Sequence, residues 1–275
     1  MNNEDLYPLR EIHDPIERGK RATELMADYQ ERMTELARIR REAVADALKA
    51  GLTQAEIARQ LGLTRARLSQ LGATGPPPER AFLGDGRLTV VVGQKTEAER
   101  GRPVIARETV TAWDRLRQLA NELELDATLE TVPPPGIFDL NRSNLIVLSG
   151  PRLFPLVKQI LDGDPHLRFS EDGGWHLRDV STETIYRSSQ DGEIDYGYLG
   201  RCLRPDNRGS FLLLGGIHAI GTQGCVAYLE EQLTELYHEI RDKRFSLVIR
   251  AETNPDDPLT VIKTQRVSPI YRHGN

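Results

Sequence analysis

Apolar residues between Pro15 and Lys49 recur at Met26, Tyr29, Met33, Leu36, Ala37, Val44 and Leu48. That spacing is close to 3.6 and predicts one long helix. Asp14 is placed to cap it, with Pro15 at the first helical position and Glu17 three residues on. Gly51 is placed to end it. At about ten turns the helix is long for a globular domain, and the simplest partner for its apolar stripe is a second copy of the chain.

A tighter pattern follows from Leu52 to Leu71. Thr53 and Glu56 have capping-box spacing, and Ile57, Ala58 and Leu61 form a stripe to be buried. Gly62 permits a sharp turn, Leu63 points to the core, and Thr64 caps a second helix that turns Leu68 and Leu71 inward. Arg65, Arg67, Ser69 and Gln70 are left on the outer face. The small Ala58 allows close helix approach, and the glycine turn sets the crossing angle, which is helix-turn-helix spacing. The segments Gln54-Ala55-Glu56-Ile57-Ala58, Leu61-Gly62-Leu63-Thr64 and Leu68-Ser69-Gln70-Leu71 fall in one register. Over residues 40 to 72 the chain resembles the sigma-factor region 4 type of helix-turn-helix of bacterial regulators. A structural helical hairpin is the alternative.

The stretch Gly72-Ala73-Thr74-Gly75-Pro76-Pro77-Pro78 reads as a linker. We therefore expect a long helix plus helix-turn-helix domain over 1–72, a proline-rich linker over 73–80 and a second domain over 81–275. In the second domain, Leu88–Gly93, Thr128–Val132, Asn144–Leu148 and Ser210–Leu214 read as buried strands. Helices are expected over 109–125, from the loop after Leu148 to Leu161, and over 225–240, and closing strands over 245–250 and 259–266. Short alternating pieces between 165 and 200 read as an antiparallel insertion. The expected fold class is α+β and multidomain: an N-terminal all-α helix-turn-helix with a long helix, then a Rossmann-like α/β sandwich carrying an antiparallel insertion.

Two loops in that second domain follow strands and open helices, so they share the crevice at the strands' carboxyl ends. Ser149, Gly150 and Arg152 offer a hydroxyl, a close-approach glycine and a guanidinium. Gly215, Gly216, Gly221, Thr222 and Gln223 lie in a run of four glycines whose amides suit an anion. His218, Tyr196 and Arg201 are further candidate ligand contacts, the tyrosine by stacking and the arginine by phosphate binding. Gly215-Gly216 and Gly221-Thr222 resemble the glycine-rich loops of the SLOG group of Rossmannoid nucleotide-binding domains. The alternative is that the glycines only shape a tight turn.

Charge sharpens the picture. The chain carries a net charge of -5, which argues against a general nucleic-acid coat protein. Yet residues 36–71 hold seven basic groups against three acidic ones. We expect duplex DNA to meet Gln54, Thr64, Arg65, Arg67, Ser69 and Gln70, with Arg65, Arg67 and Gln70 reading bases or phosphates. Two half-sites and hence a homodimer are expected. The 28% of charged residues, the lack of a long apolar run and the acidic first residues predict a cytoplasmic protein away from the membrane. Cys202 and Cys225 form no metal or disulfide pattern, and the histidines show no ligand spacing, so no metal and no cofactor are expected. The leading expectation is a transcriptional regulator that senses a small anionic, nucleotide-derived ligand. The alternative is a nucleotide- or nucleoside-processing enzyme with a DNA-binding head, using His218, Asp195 and Glu193 as acid/base groups.

Overall fold

The computed structural model describes residues 7–74 and 76–274, and they divide into two compact units at Pro78/Glu79. In the first unit, α1 (Tyr7–Arg10) precedes α2 (Pro15–Lys49), α3 (Gln54–Gln60) and α4 (Arg65–Thr74). The caps follow the sequence. The Asp14 carboxylate accepts from the amides of Ile16 and Glu17. Thr53 and Glu56 form a reciprocal capping box, and Thr64 accepts from the Arg67 amide. The turn at Gly62 has φ +66°, a left-handed geometry that a glycine adopts without strain.

The apolar centre of this unit is small. Ile57, Ala58 and Leu68 are buried, with Val44, Ala47, Leu52 and Leu63 packed around them. Leu61, expected inside, is 49% exposed, because it stands at the end of α3 where the chain has already turned. The expected linker over 73–80 overlaps α4, which continues through Gly72 to Thr74.

The second unit opens with α5 (Arg80–Leu83), β1 (Leu88–Gly93), the short strands β2 (Lys95–Thr96) and β3 (Pro103–Val104), and α6 (Arg107–Glu122). It continues through β4 (Ala127–Val132), β5 (Leu145–Val147), α7 (Pro155–Asp162), β6 (Leu167–Ser170), β7 (His176–Asp179) and β8 (Ile185–Tyr186). Last come β9 (Ile194–Leu203), β10 (Ser210–Gly216), α8 (Ala219–Ile240), β11 (Phe245–Asn254), β12 (Asp257–Arg266) and β13 (Tyr271–Arg272). The main sheet is mixed, in the order β12-β11-β9-β10-β5-β1-β4, with β13 on β11. β10, β5, β1 and β4 run parallel, whereas β9, β11 and β12 are antiparallel to their neighbours.

The unbroken apolar runs of the central strands are explained by two covered faces. Leu88, Val90 and Val92 of β1, with Leu212 and Leu214 of β10, face α6 and α8. Val91, Phe211 and Leu213 face α7 and a small antiparallel sheet of β6, β7 and β8. The expected insertion over 165–200 is thus two things. Its first part is that small sheet, and its last part, β9, belongs to the main sheet, paired with β10 through the turn at residues 204–209. The edge strands β4 and β12 alternate toward solvent and carry charges, which blunts edge pairing. Among the described residues no helix is long and apolar enough to cross a membrane.

Leu68→Ala removes one of the two large buried apolar side chains at the centre of the first unit, at an expected cost of about 2–5 kcal/mol. Hydrogen exchange of the full chain should then speed up across residues 54–74 and stay unchanged in the second unit. Unchanged protection of α3 and α4 would show that their packing does not depend on this core.

Candidate functional site

The candidate site lies where the carboxyl ends of β1, β5 and β10 meet the starts of α6, α7 and α8. A small cavity of about 30 Å³ there is lined by Ser149, Gly150, Arg152, Gly216, His218 and Thr222, all anticipated from the sequence. Lys95 and Thr109 line it too. Sequence reading missed both: Lys95 sits on a two-residue strand without a motif, and Thr109 looks like an ordinary first-turn helix residue. The Ser149 hydroxyl accepts from the Gly93 amide and so ties β5 to β1. Arg152 is exposed, and neither it nor Lys95 has an acidic partner among the described residues. These two cations make the mouth electropositive. Its volume holds a water or one anionic group, with the body of any ligand outside.

The other expected contacts sit elsewhere. α8 starts at Ala219, not near Cys225, so Gly221 and Gly224 are helical. A Cβ at Gly221 would lie 2.3 Å from the Tyr196 carbonyl, at Gly197 2.4 Å from Cys225 Sγ, and at Gly224 2.4 Å from the Ala251 Cβ. These glycines let α8 press directly onto β9 and β11. A Cβ at Gly150 would meet the Gly216 carbonyl at 2.3 Å, and one at Gly215 the Ser149 carbonyl at 2.8 Å, so the two loops also touch backbone to backbone. Gln223 is buried and accepts from the Val261 amide of β12. The Tyr196 ring turns to the opposite face of the sheet, 5.3 Å from that of Tyr186. Arg201 lies at the far end of β9, where it donates to the Phe82 carbonyl and spreads over that ring; burial pulls its pKa down to about 10.

The amides of Gly216, Ile217, His218, Gly221 and Thr222 in the glycine run already have partners. Asp195 of β9 is 2% exposed, and its carboxylate accepts from the amides of His218 (3.1 Å) and Gly221 (2.6 Å). It is a remote N-cap for α8 and neutralises the positive helix end. The Gly216 amide donates to Thr222 Oγ1 at 2.8 Å, and the Ile217 amide to the Tyr196 carbonyl. The other Asp195 oxygen accepts from the Ser188 hydroxyl at 2.5 Å, and Ser188 Oγ lies 3.0 Å from His218 Nδ1. Ser188 joined no motif in the sequence; only the return of the chain from β8 to β9 brings it here. The order is imidazole, hydroxyl, carboxylate. A serine activated for attack instead needs its proton facing the imidazole, with the carboxylate behind it. The arrangement is a latch that holds the 187–189 segment on the start of α8. Glu193 has an exposed side chain and is outside it. Both cysteines are buried, and burial pushes the Cys202 thiol up to about 12 and raises Cys225 as well, so neither is a thiolate nucleophile. No group of metal-ligating side chains occurs among the described residues.

In the first unit, Gln54, Thr64, Arg65, Arg67, Ser69 and Gln70 are all exposed. Arg67 donates to the Gln70 side-chain carbonyl at 2.8 Å. No protein-family model, no curated protein and no solved structure matches this chain.

Replacing Asp195 with Ala should remove the cap of α8 and leave one buried and one half-buried amide without an acceptor, at an expected cost of about 3 kcal/mol. Asp195→Asn keeps an acceptor and should cost less. Denaturant unfolding of the two variants checks this; equal stability of the Ala variant and the parent would remove the carboxylate from its capping role.

Proposed function

We propose that the chain is a DNA-binding transcriptional regulator with an N-terminal helix-turn-helix. Its Rossmann-like C-terminal unit takes a small anionic, nucleotide-derived ligand. The observation that carries the reading is the outer face of α4. Thr64, Arg65, Arg67, Ser69 and Gln70 are all exposed on one short helix whose inner face is anchored by Leu68. Supporting it are the capping box of α3, the left-handed glycine turn and the buried Ala58, which together let α4 stand free as a recognition helix. In this reading Arg65 and Arg67 meet guanine edges or phosphates, and Gln70 meets adenine once the Arg67 contact opens. On the ligand side, Lys95 and Arg152 support an anion seated at the crevice mouth.

A single recognition helix makes few base contacts, so the reading includes a homodimer. Its seam is α2, where exposed Met26, Met33 and Leu36 and half-buried Tyr29 are spaced three and four apart, as in a two-helix coiled coil. Ligand would act by favouring one dimer geometry over another.

Two experiments test these halves. Fluorescence anisotropy with a labelled mixed-sequence duplex should show Arg65→Ala/Arg67→Ala binding more weakly, with a log–log salt slope smaller by about two. Unchanged affinity and slope in the folded variant would reject α4 as the recognition helix. Sedimentation equilibrium should show Met33→Glu/Leu36→Glu as a monomer where the parent is a dimer; the same association state in both would remove α2 from the seam.

A further inference from the structure

A second cavity of the second unit is larger than the crevice. It lies at the other end of the main sheet, where β9 ends and β11 begins, and encloses about 600 Å³, the size of a small-molecule site. Ile160, Leu161, Pro165 and Leu203 give it apolar walls. Its polar groups come from four separate parts of the chain. Asp164 and His166 follow α7, Tyr198 and Cys202 stand on β9, and Arg244 and His273 meet at the start of β11 and after β13.

Most of these groups are already satisfied. Asp164 is buried and accepts from the amides of His166 and Leu167 through one oxygen, and from the Tyr198 hydroxyl at 2.9 Å through the other. His166 stacks on Tyr271, with ring centroids 4.3 Å apart. Of the other lining arginines, Arg201 is turned to Phe82, Arg272 is paired with Glu239, and Arg204 is held within its own turn by Asp206 and the Arg208 carbonyl. Arg244 is different. Its guanidinium has no hydrogen-bond or ion-pair partner among the described residues, and its charge acts on both Cys202 and His273 inside the cavity. Arg244 is half-buried at the cavity wall, so its guanidinium is the lining cation left able to take a negatively charged partner.

The geometry points to a binding site for a small organic carboxylate with an apolar body: the carboxylate on Arg244, the body against Ile160, Leu161 and Leu203. Guanidinium and carboxylate match in planar, two-pronged geometry, and the apolar walls beside them take the body of the ligand. His273 adds a response to pH. Its Nε2 is 3.0 Å from Ser246 Oγ of β11 and 3.6 Å from Asp164. Burial holds its pKa below the usual histidine value, with His166 and Arg244 pushing the same way and Asp164 opposing. A bound carboxylate favours the protonated ring, so binding takes up a proton and strengthens as pH falls from 8 to 6. The site stands on the second unit alone and needs neither DNA nor the crevice.

The test is isothermal titration of the full chain with octanoate and indole-3-acetate, and with octanol and indole-3-ethanol as uncharged counterparts. At least one carboxylate should bind saturably at pH 6, more weakly at pH 8, and more tightly than its counterpart. Arg244→Met should weaken it by at least about tenfold, while Arg152→Ala at the crevice should leave it unchanged. A folded Arg244→Met variant that binds like the parent overturns the assignment, as does a carboxylate lost with Arg152→Ala instead. Binding of neither carboxylate overturns it as well.

Discussion

One buried carboxylate organises the second unit. Asp195 leaves water to sit at the start of α8, where two helix amides and the Ser188 hydroxyl surround it. Burying a charge this deeply is tolerated only with such donors around it. The contact in turn requires α8 to lie against β9 at backbone distance, which is why Gly197, Gly221 and Gly224 carry no side chain. The helix then covers one face of four adjacent strands, and the loops after β5 and β10 are drawn together. The same choice sets the character of the crevice. With Asp195 offsetting the positive end of α8, the electropositive character of the mouth comes chiefly from Lys95 and Arg152.

The first unit rests on a different economy. Ile57, Ala58 and Leu68 would be a meagre core for a free-standing domain, and it is reinforced by caps at the starts of α2, α3 and α4. Such a unit has few interior demands on its outer residues. That freedom is what a helix reading DNA needs, because its exposed face must be set by the target and not by the fold.

The sequence was legible where one local rule decided the outcome. Asp14, Thr53 and Thr64 cap the helices they were expected to cap, Pro15 opens α2, and the apolar run that ends at Gly93 bounds β1. It was less legible where long-range contacts decide. The glycine run at 215–224 reads as a ligand loop because glycine at a strand-to-helix turn commonly means close approach. Here the approaching groups are Ser149, Tyr196, Cys225 and Ala251 of the chain itself, distant in sequence. Asp195, Ser188 and Lys95 belong to no motif, and Arg201 lies five residues along β9 from Tyr196, too far to share its end of the sheet. The larger cavity is assembled from segments around 164, 202, 244 and 273, a grouping that no local pattern announces.

These pieces fit one economy of design: a lightly packed helical head that presents side chains outward, and a rigid body whose interior holds pockets at both ends of a sheet. The head carries the central functional claim, which in vitro selection of bound duplexes from a random-sequence pool tests most directly. The account predicts enrichment of an inverted repeat, with half-sites about one helical turn or a multiple apart. Recovery of no common sequence after repeated rounds, from protein that remains folded, would contradict it.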